Sequence, residues 1–363
     1  MPTSFVNTER ASIKVSVKPS TSSSPITNNR PSIMPASTIK NPAQKENEIV
    51  SSPEPSLSLS LSSGHYSMQG IRNEMEDKVV LLNHPAFNEI GDINDSVSRS
   101  FFAVFDGHGG DVSAEYCRQH VHLNFISDSS FITDSHSALK SALIRTDSEF
   151  CSACKRINLV SSSGTTAICA FVNENKLIVA NIGDSRGVLI KKSNVNVIPV
   201  SNDHKPGRVD ERERIEKCGG RVGITEEEAY SGRIPSCIFF TSCFPSSRPL
   251  RVFPGGLSVS RTIGDIGMKN GGLIIAEPEM FSSVLTSDDL YLILACDGVW
   301  DVMSNLSVAE LCKKNLQQND MEEMAKIIAK EAFRRGSTDN ISVVAVKLIW
   351  TNKEEEKKEK RTS

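Results

Sequence analysis

Across residues 163–201 four short β-rich runs follow one another with almost nothing between them: SGTTAICAFV, KLIVANIGDSR, GVLIKK and VNVIPVS. Aliphatic and β-branched residues favour extended chain, and the Gly, Asn and Asp between the runs favour reversals. Parallel neighbours need a crossover of roughly a dozen residues, so gaps this short predict an antiparallel meander. That excludes the strand–helix alternation of a dinucleotide-binding fold. The apolar run at 101–105 reads as a strand buried on both faces, 289–301 repeats the theme of an apolar strand ending in Asp297-Gly298, and a long final strand follows the turn at Asp339. Apolar spacing suits amphipathic helices at 112–126, 137–157, 307–318 and 321–335, and the charged run 207–218 is helix-compatible. Strands grouped in this way with separate helices make an α+β protein.

The rest of the chain divides by composition. Residues 1–62 are dominated by Ser, Thr, Pro and Asn and end in SLSLSLSS. Such a segment buries too little apolar area to offset its ordering entropy, so it is expected to be disordered. The folded part is expected over 63–350, with a mixed-charge tail at 351–363. Residues 223–254 are the least readable; a flap, a docking surface and an inserted strand all fit them.

Charge and cysteine usage exclude several classes. A formal net charge of −3 gives no basic field for nucleic acid. Nine cysteines, widely spread and without a secretory signal ahead of them, point to reduced thiols in the cytoplasm or nucleus. Cys151 and Cys154 lack a second close pair to complete a zinc site, and read as cysteines on a helix face. No apolar run approaches the roughly 18 residues of a membrane span.

The chemistry sits where strands stop. The run FFAVF ends in Asp106, Gly107, His108, Gly109 and Gly110: a carboxylate on a rigid strand end, glycines that let the backbone approach a ligand, and an imidazole. Three other acid-bearing turns also stand beside apolar strands: Glu76-Asp77, Asp297-Gly298 and Asp339-Asn340. Each alone is more often a plain turn. Together they propose carboxylates converging on one point, which repel unless cations lie between them. All-oxygen donors select hard ions, Mg²⁺ or Mn²⁺. Two such ions roughly 3.5–4 Å apart can activate a water and clamp a phosphoryl group, and Arg72 supplies a planar fork for its oxygens. The set describes phosphate ester hydrolysis.

SMQGIRNEMED, FFAVFDGHGG, SGTTA, ANIGDSRGVL, the GLSVSR–GD block, LILACDGVWD and GSTDNISV, taken in this order, resemble the metal-dependent serine/threonine protein phosphatases of type 2C (PPM). The resemblance implies a β-sandwich of two antiparallel sheets flanked by α-helices on both sides. It implies two Mg²⁺ or Mn²⁺ ions bridged by Asp106, with the Gly107 carbonyl on one of them. Asp297 and Asp339 then hold one ion and Glu76 the other, directly or through water, while Asp77 orients that shell. Arg72 takes the place of the family's phosphate-binding arginine and His108 of its general acid, with water from the metal centre as nucleophile. Asp184 and Asp301 match positions associated with a weaker third ion; structural hydrogen bonding is the other reading of both. The implied substrates are phosphoserine and phosphothreonine proteins in signalling, acted on by a monomer without nucleic acid. A silent phosphoprotein-binding regulator of the same fold is the alternative, and the intact acids speak against it. Ile71 and Ser258 depart from the usual Trp and Ala without touching the metal logic.

Overall fold

The computed structural model describes residues 57–157, 162–193, 197–231 and 248–352. Its strands are β1 (Leu57–Met68), β2 (Lys78–Leu82), β3 (Arg99–Phe105), β4 (Gly107–His108), β5 (Gly164–Thr165), β6 (Ala167–Asn173), β7 (Lys176–Ile182), β8 (Arg186–Lys191), β9 (Val197–Pro199), β10 (Arg221–Gly223), β11 (Arg251–Phe253), β12 (Ile263–Gly264), β13 (Glu279–Val284), β14 (Asp289–Ala295) and β15 (Ile341–Asn352). Its helices are α1 (Ala86–Ile90), α2 (Val112–Ile126), α3 (Ser135–Arg156), α4 (Val209–Lys217), α5 (Glu226–Ser231), α6 (Ile266–Lys269), α7 (Asp297–Trp300), α8 (Asn305–Lys314) and α9 (Met321–Arg334).

Two five-stranded antiparallel sheets carry the fold, in the orders β1-β15-β14-β8-β9 and β13-β7-β6-β3-β2. The side chains of β3 show how they stack. Phe102 and Val104 join Leu292, Leu294, Val344 and Val346 in a core between the sheets. Phe101, Ala103 and Phe105 alternate to the other face and pack against Val121 and Phe125 of α2 and Leu139 and Leu143 of α3. A third core covers the outer face of the other sheet, where Ile293, Val343 and Ala345 meet Val308 of α8 and Met324 and Ile328 of α9. Strands buried on both faces therefore read as continuous apolar runs rather than alternating ones. Phe87, Phe101, Phe125, Phe131 and Phe171 pack against one another within the first outer core, and burying each such ring is worth about 1.5–3 kcal/mol.

Two expectations need correction. The meander does not stay in one sheet: β6 and β7 pair within one, but β8 and β9 belong to the other. The chain crosses at residues 183–185, which sets Asp184 at the sandwich end where the two sheets meet. Second, the folded part begins before residue 63. SLSLSLSS enters β1, pairs with β15 from Leu57↔Asn352 onward, and packs Leu59 and Leu61 against the inter-sheet core. Its serines weigh on composition, yet the Leu/Ser alternation has the period of a strand. At the other end β15 runs through Asn352. The expected disorder of residues 1–56 and the tail from 353 lie outside the described residues. So does most of 223–254; its described flanks, β10 and β11, pair with each other as a small antiparallel ladder.

Candidate metal centre

Strand register delivers the acids to one place. β2 pairs with β3 so that Lys78 faces Phe105, which brings the preceding Asp77 beside the following Asp106. In the other sheet Ala295 of β14 faces Val343 of β15, so Asp297 and Asp339 leave neighbouring strands at the same end. The crossover adds Asp184. Ligand oxygens of Asp106, Asp184 and Asp297 all lie within 4.8 Å of one another, and Asp77, Asp106 and the Cys296 sulfur form a second such group. Asp106, Asp184 and Asp297 floor a cleft of about 200 Å³ whose walls include Arg72, Gly107, His108, Thr166, Arg251 and Asp339. A larger depression of about 500 Å³ along α3 holds no comparable set of acids.

The other expected residues stand close by in different company. Asp339 is in the cleft but accepts a hydrogen bond from the Arg72 guanidinium at 2.5 Å. Glu76 lies outside both groups; its Oε1 accepts from the Gly110 N–H at 2.5 Å. Asp301 is exposed, within electrostatic reach of Asp184 and Lys205.

Electrostatics tests whether cations fit. Burial, then the charges of Asp297 and Asp77, push the Asp106 carboxyl well above the usual carboxylate range. Burial and the charges of Asp184 and Asp301 do the same to Asp297. Asp77 is raised to about 6, chiefly by burial, and its Oδ2 has no hydrogen-bond partner. Carboxyls held this way are unstable as neighbouring anions and become favourable once a cation lies among them. Cys296 does not soften the donor set: burial and then the Asp77 charge push its thiol far up, so it stays protonated, with its sulfur accepting from the Ser342 N–H at 3.1 Å. Hard, oxygen-preferring divalent ions fit these residues.

Several contacts that hold this geometry join residues whose pairing the sequence did not reveal. The Asn340 side chain donates to the carbonyls of Gln69 and Glu74 and accepts from the Glu76 N–H at 2.8 Å, tying the 69–76 turn to Asp339. The Thr165 hydroxyl donates to the Asp106 carbonyl at 3.0 Å. The Lys205 ammonium ion-pairs with Asp184, which raises its pKa although burial alone would lower it. His108 Nε2 meets the Asp265 carboxylate at 2.9 Å. Burial alone would pull the imidazole down, but Asp265 outweighs it and leaves His108 above its ordinary value. Cys151 and Cys154 do lie on a helix, α3. No helix among the described residues is long and apolar enough to cross a membrane.

An α+β sandwich with a hard-cation centre at its sheet ends and a guanidinium over it defines a metal-dependent hydrolase of phosphate esters. The protein phosphatase 2C family model matches residues 61–341, and the chain belongs to that family. Probable protein phosphatase 2C 22 of Arabidopsis thaliana is 35% identical over 297 residues, covering 79% of this chain and 68% of the relative. Human protein phosphatase 1F is 36% identical over 285 residues, covering 78% of this chain and 56% of the relative. The serine-threonine phosphatase 2C of Toxoplasma gondii superposes with a TM-score of 0.63 at 21% identity, over 82% of this chain and all of its own. The catalytic domain of serine threonine protein phosphatase PstP, solved in complex with 2 manganese ions, does so at 0.51 and 21% identity, over 81% of this chain and 100% of its own. The protein is a metal-dependent protein serine/threonine phosphatase.

Proposed function

We propose that this chain hydrolyses phosphoserine and phosphothreonine in proteins at the Asp106 cleft, with two Mg²⁺ or Mn²⁺ ions bound there. Convergence of Asp106, Asp184 and Asp297 within 4.8 Å carries the reading, because nothing else about these strand ends calls for one buried and two half-buried acids side by side. Asp106, the Gly107 carbonyl, Asp297, Asp339 and Glu76 would hold the ions, and Asp77 would orient those ligands. When bound, such a pair lowers the pKa of a coordinated water and neutralises charge on the phosphoryl group.

The remaining work falls to this chain's own groups. Arg72 lines the cleft and is held there by Asp339, with spare donors for phosphate oxygens. His108 lines the same cleft and holds a proton for the departing serine or threonine oxygen. Asp184 and Asp301 are the candidate ligands of a third ion, and the Lys205 ammonium stands in for a cation there. Intact acids disfavour a silent scaffold.

Reduced cysteines support action in the cytoplasm or nucleus, the acidic balance supports a protein partner over nucleic acid, and we take the enzyme to be a monomer. The test is hydrolysis of a phosphothreonine peptide with and without Mn²⁺. Turnover abolished by EDTA and restored by Mn²⁺ or Mg²⁺ supports the reading; no turnover from metal-loaded protein ends it.

A further inference from the structure

His108 and Asp265 are separated by 157 positions, yet a small sheet is built to join them. Its strand order is β12-β5-β4. On one side of β5 His108 faces Gly164, and on the other Gly264 faces the same Gly164. The imidazole and the carboxylate that follows Gly264 therefore meet over one residue with no side chain. A Cβ added to Gly164 would lie 2.0 Å from Asp265 Oδ2 and 2.5 Å from His108 Nε2. Any other residue at 164 would displace the pair.

Asp265 is also held on its own account. Its side chain is only 6% exposed, and its backbone adopts a φ of 49°, uncommon for a residue with a Cβ. The Thr262 hydroxyl donates to the same Oδ2 at 2.6 Å, and the Asp265 N–H donates to the Ser163 carbonyl at 3.1 Å. The turn is pinned from α3, where the Asp147 carboxylate accepts from the Gly264 N–H at 2.8 Å. Asp265 is absent from the carboxylate groups of the metal centre. It is a buried, oriented acid with one partner of functional consequence.

We propose that Asp265 is the positioning residue for proton donation by His108: it accepts from Nε2–H, fixes the ring plane and leaves Nδ1 as the nitrogen that carries the transferable proton. In an imidazole the hydrogen bond at one nitrogen sets the role of the other, and a buried carboxylate stabilises the charged ring without taking its proton. In the step itself the water–phosphorus bond forms and the phosphorus–oxygen bond to the serine or threonine breaks. The Nδ1 proton of the imidazolium passes to the departing oxygen, giving the free hydroxyl. A neutral imidazole remains, still donating Nε2–H to Asp265. The proton lost by the attacking water passes to solvent, from which the imidazole is recharged.

The inference rests on His108 as proton donor, and the experiment separates the two claims. Full-length wild type, Asp265→Asn, Thr262→Val, His108→Ala and the double variant His108→Ala/Asp265→Asn are assayed in saturating Mn²⁺. Substrates are a phosphothreonine peptide and p-nitrophenyl phosphate, whose leaving group needs no proton. His108→Ala should lose much more on the peptide than on the nitrophenyl ester; equal losses remove His108 from the acid role. If His108→Ala behaves so, Asp265→Asn should lose about 10- to 100-fold in kcat on the peptide, within the range of general acid catalysis, and several-fold at most on the ester. It should add nothing in the His108→Ala background. Equal losses on both substrates, no loss, or additive losses in the double variant overturn the positioning role while His108 stands. Thr262→Val, which removes one methyl-sized hydroxyl from the buried acid, should show the same selectivity at smaller amplitude. Imidazole ¹⁵N shifts of the metal-free protein at alkaline pH provide a readout independent of turnover. His108 should be the Nε2–H tautomer in wild type and lose that preference in Asp265→Asn; unchanged shifts refute the proposal.

Discussion

Removing the charge of Asp77 should stabilise the metal-free protein, and by an amount that grows with pH. Asp77 is 5% exposed, beside Asp106, with one oxygen unpartnered. Hydrogen bonds from Ser342 and Cys296 favour its charged form, but burial dominates and raises it from 3.8 to about 6. A folded pKa above the unfolded one means the folded state holds its proton longer. The associated stability is complete below about pH 3.8 and is lost as pH rises through about 6. At 1.36 kcal/mol for each tenfold change, the loss is about 3 kcal/mol. Other groups titrate in this window with opposite sign: burial lowers His204 to about 4, so it removes stability as pH falls. The comparison must therefore be between Asp77→Asn and wild type, where common groups cancel. Urea unfolding in EDTA should show the variant gaining about 3 kcal/mol on wild type between pH 4 and pH 8, near 5 °C in Tm at neutral pH. Saturating Mn²⁺ should narrow the gap, because a cation compensates the same charge. A gap that is flat with pH in EDTA would refute the account of Asp77 as a strained buried acid.

Asp106→Asn should lose about 100-fold or more in kcat/KM at every Mn²⁺ concentration while melting above wild type in EDTA; activity within a few-fold would exclude the shared-ligand role. Lys205→Met leaves the buried Asp184 without its cation, so the metal-free protein should lose about 1–3 kcal/mol and the Mn²⁺ activation midpoint should fall; a midpoint unchanged or raised would show that Lys205 does not compete for the site. Gly298→Ala would place a Cβ 2.1 Å from the Asn340 carbonyl, backbone against backbone, at about 1–3 kcal/mol, with turnover falling because Asp297 and Asp339 flank the clash. Wild-type urea stability in that variant would contradict the close approach of the two turns.

How far the sequence reached can be traced residue by residue. The run 101–105 reads as a strand buried on both faces, and it is one, because a helix layer covers one side and the second sheet the other. Amphipathic spacing located α2, α3, α8 and α9 to within a few residues, since the period of a helix is local information. Composition failed at SLSLSLSS, where alternation was the better guide. It also could not tell that β7 and β8 part into different sheets, because a turn of Gly and Asp serves a hairpin and a crossover equally well.

By itself the sequence determined the chemistry: acids and glycines at strand ends, an arginine and a histidine among them, and a pattern allowing only antiparallel sheets. Tertiary structure alone decided which groups touch. Asp184 reaches Asp106 and Asp297 because the chain changes sheet there. Asp339 engages Arg72, Asn340 locks the 69–76 turn, and Asp265 meets His108 across Gly164, over separations of 267, 266 and 157 positions. Such contacts are set by strand register between distant segments, where a shift of one residue would turn every one of these side chains to the opposite face.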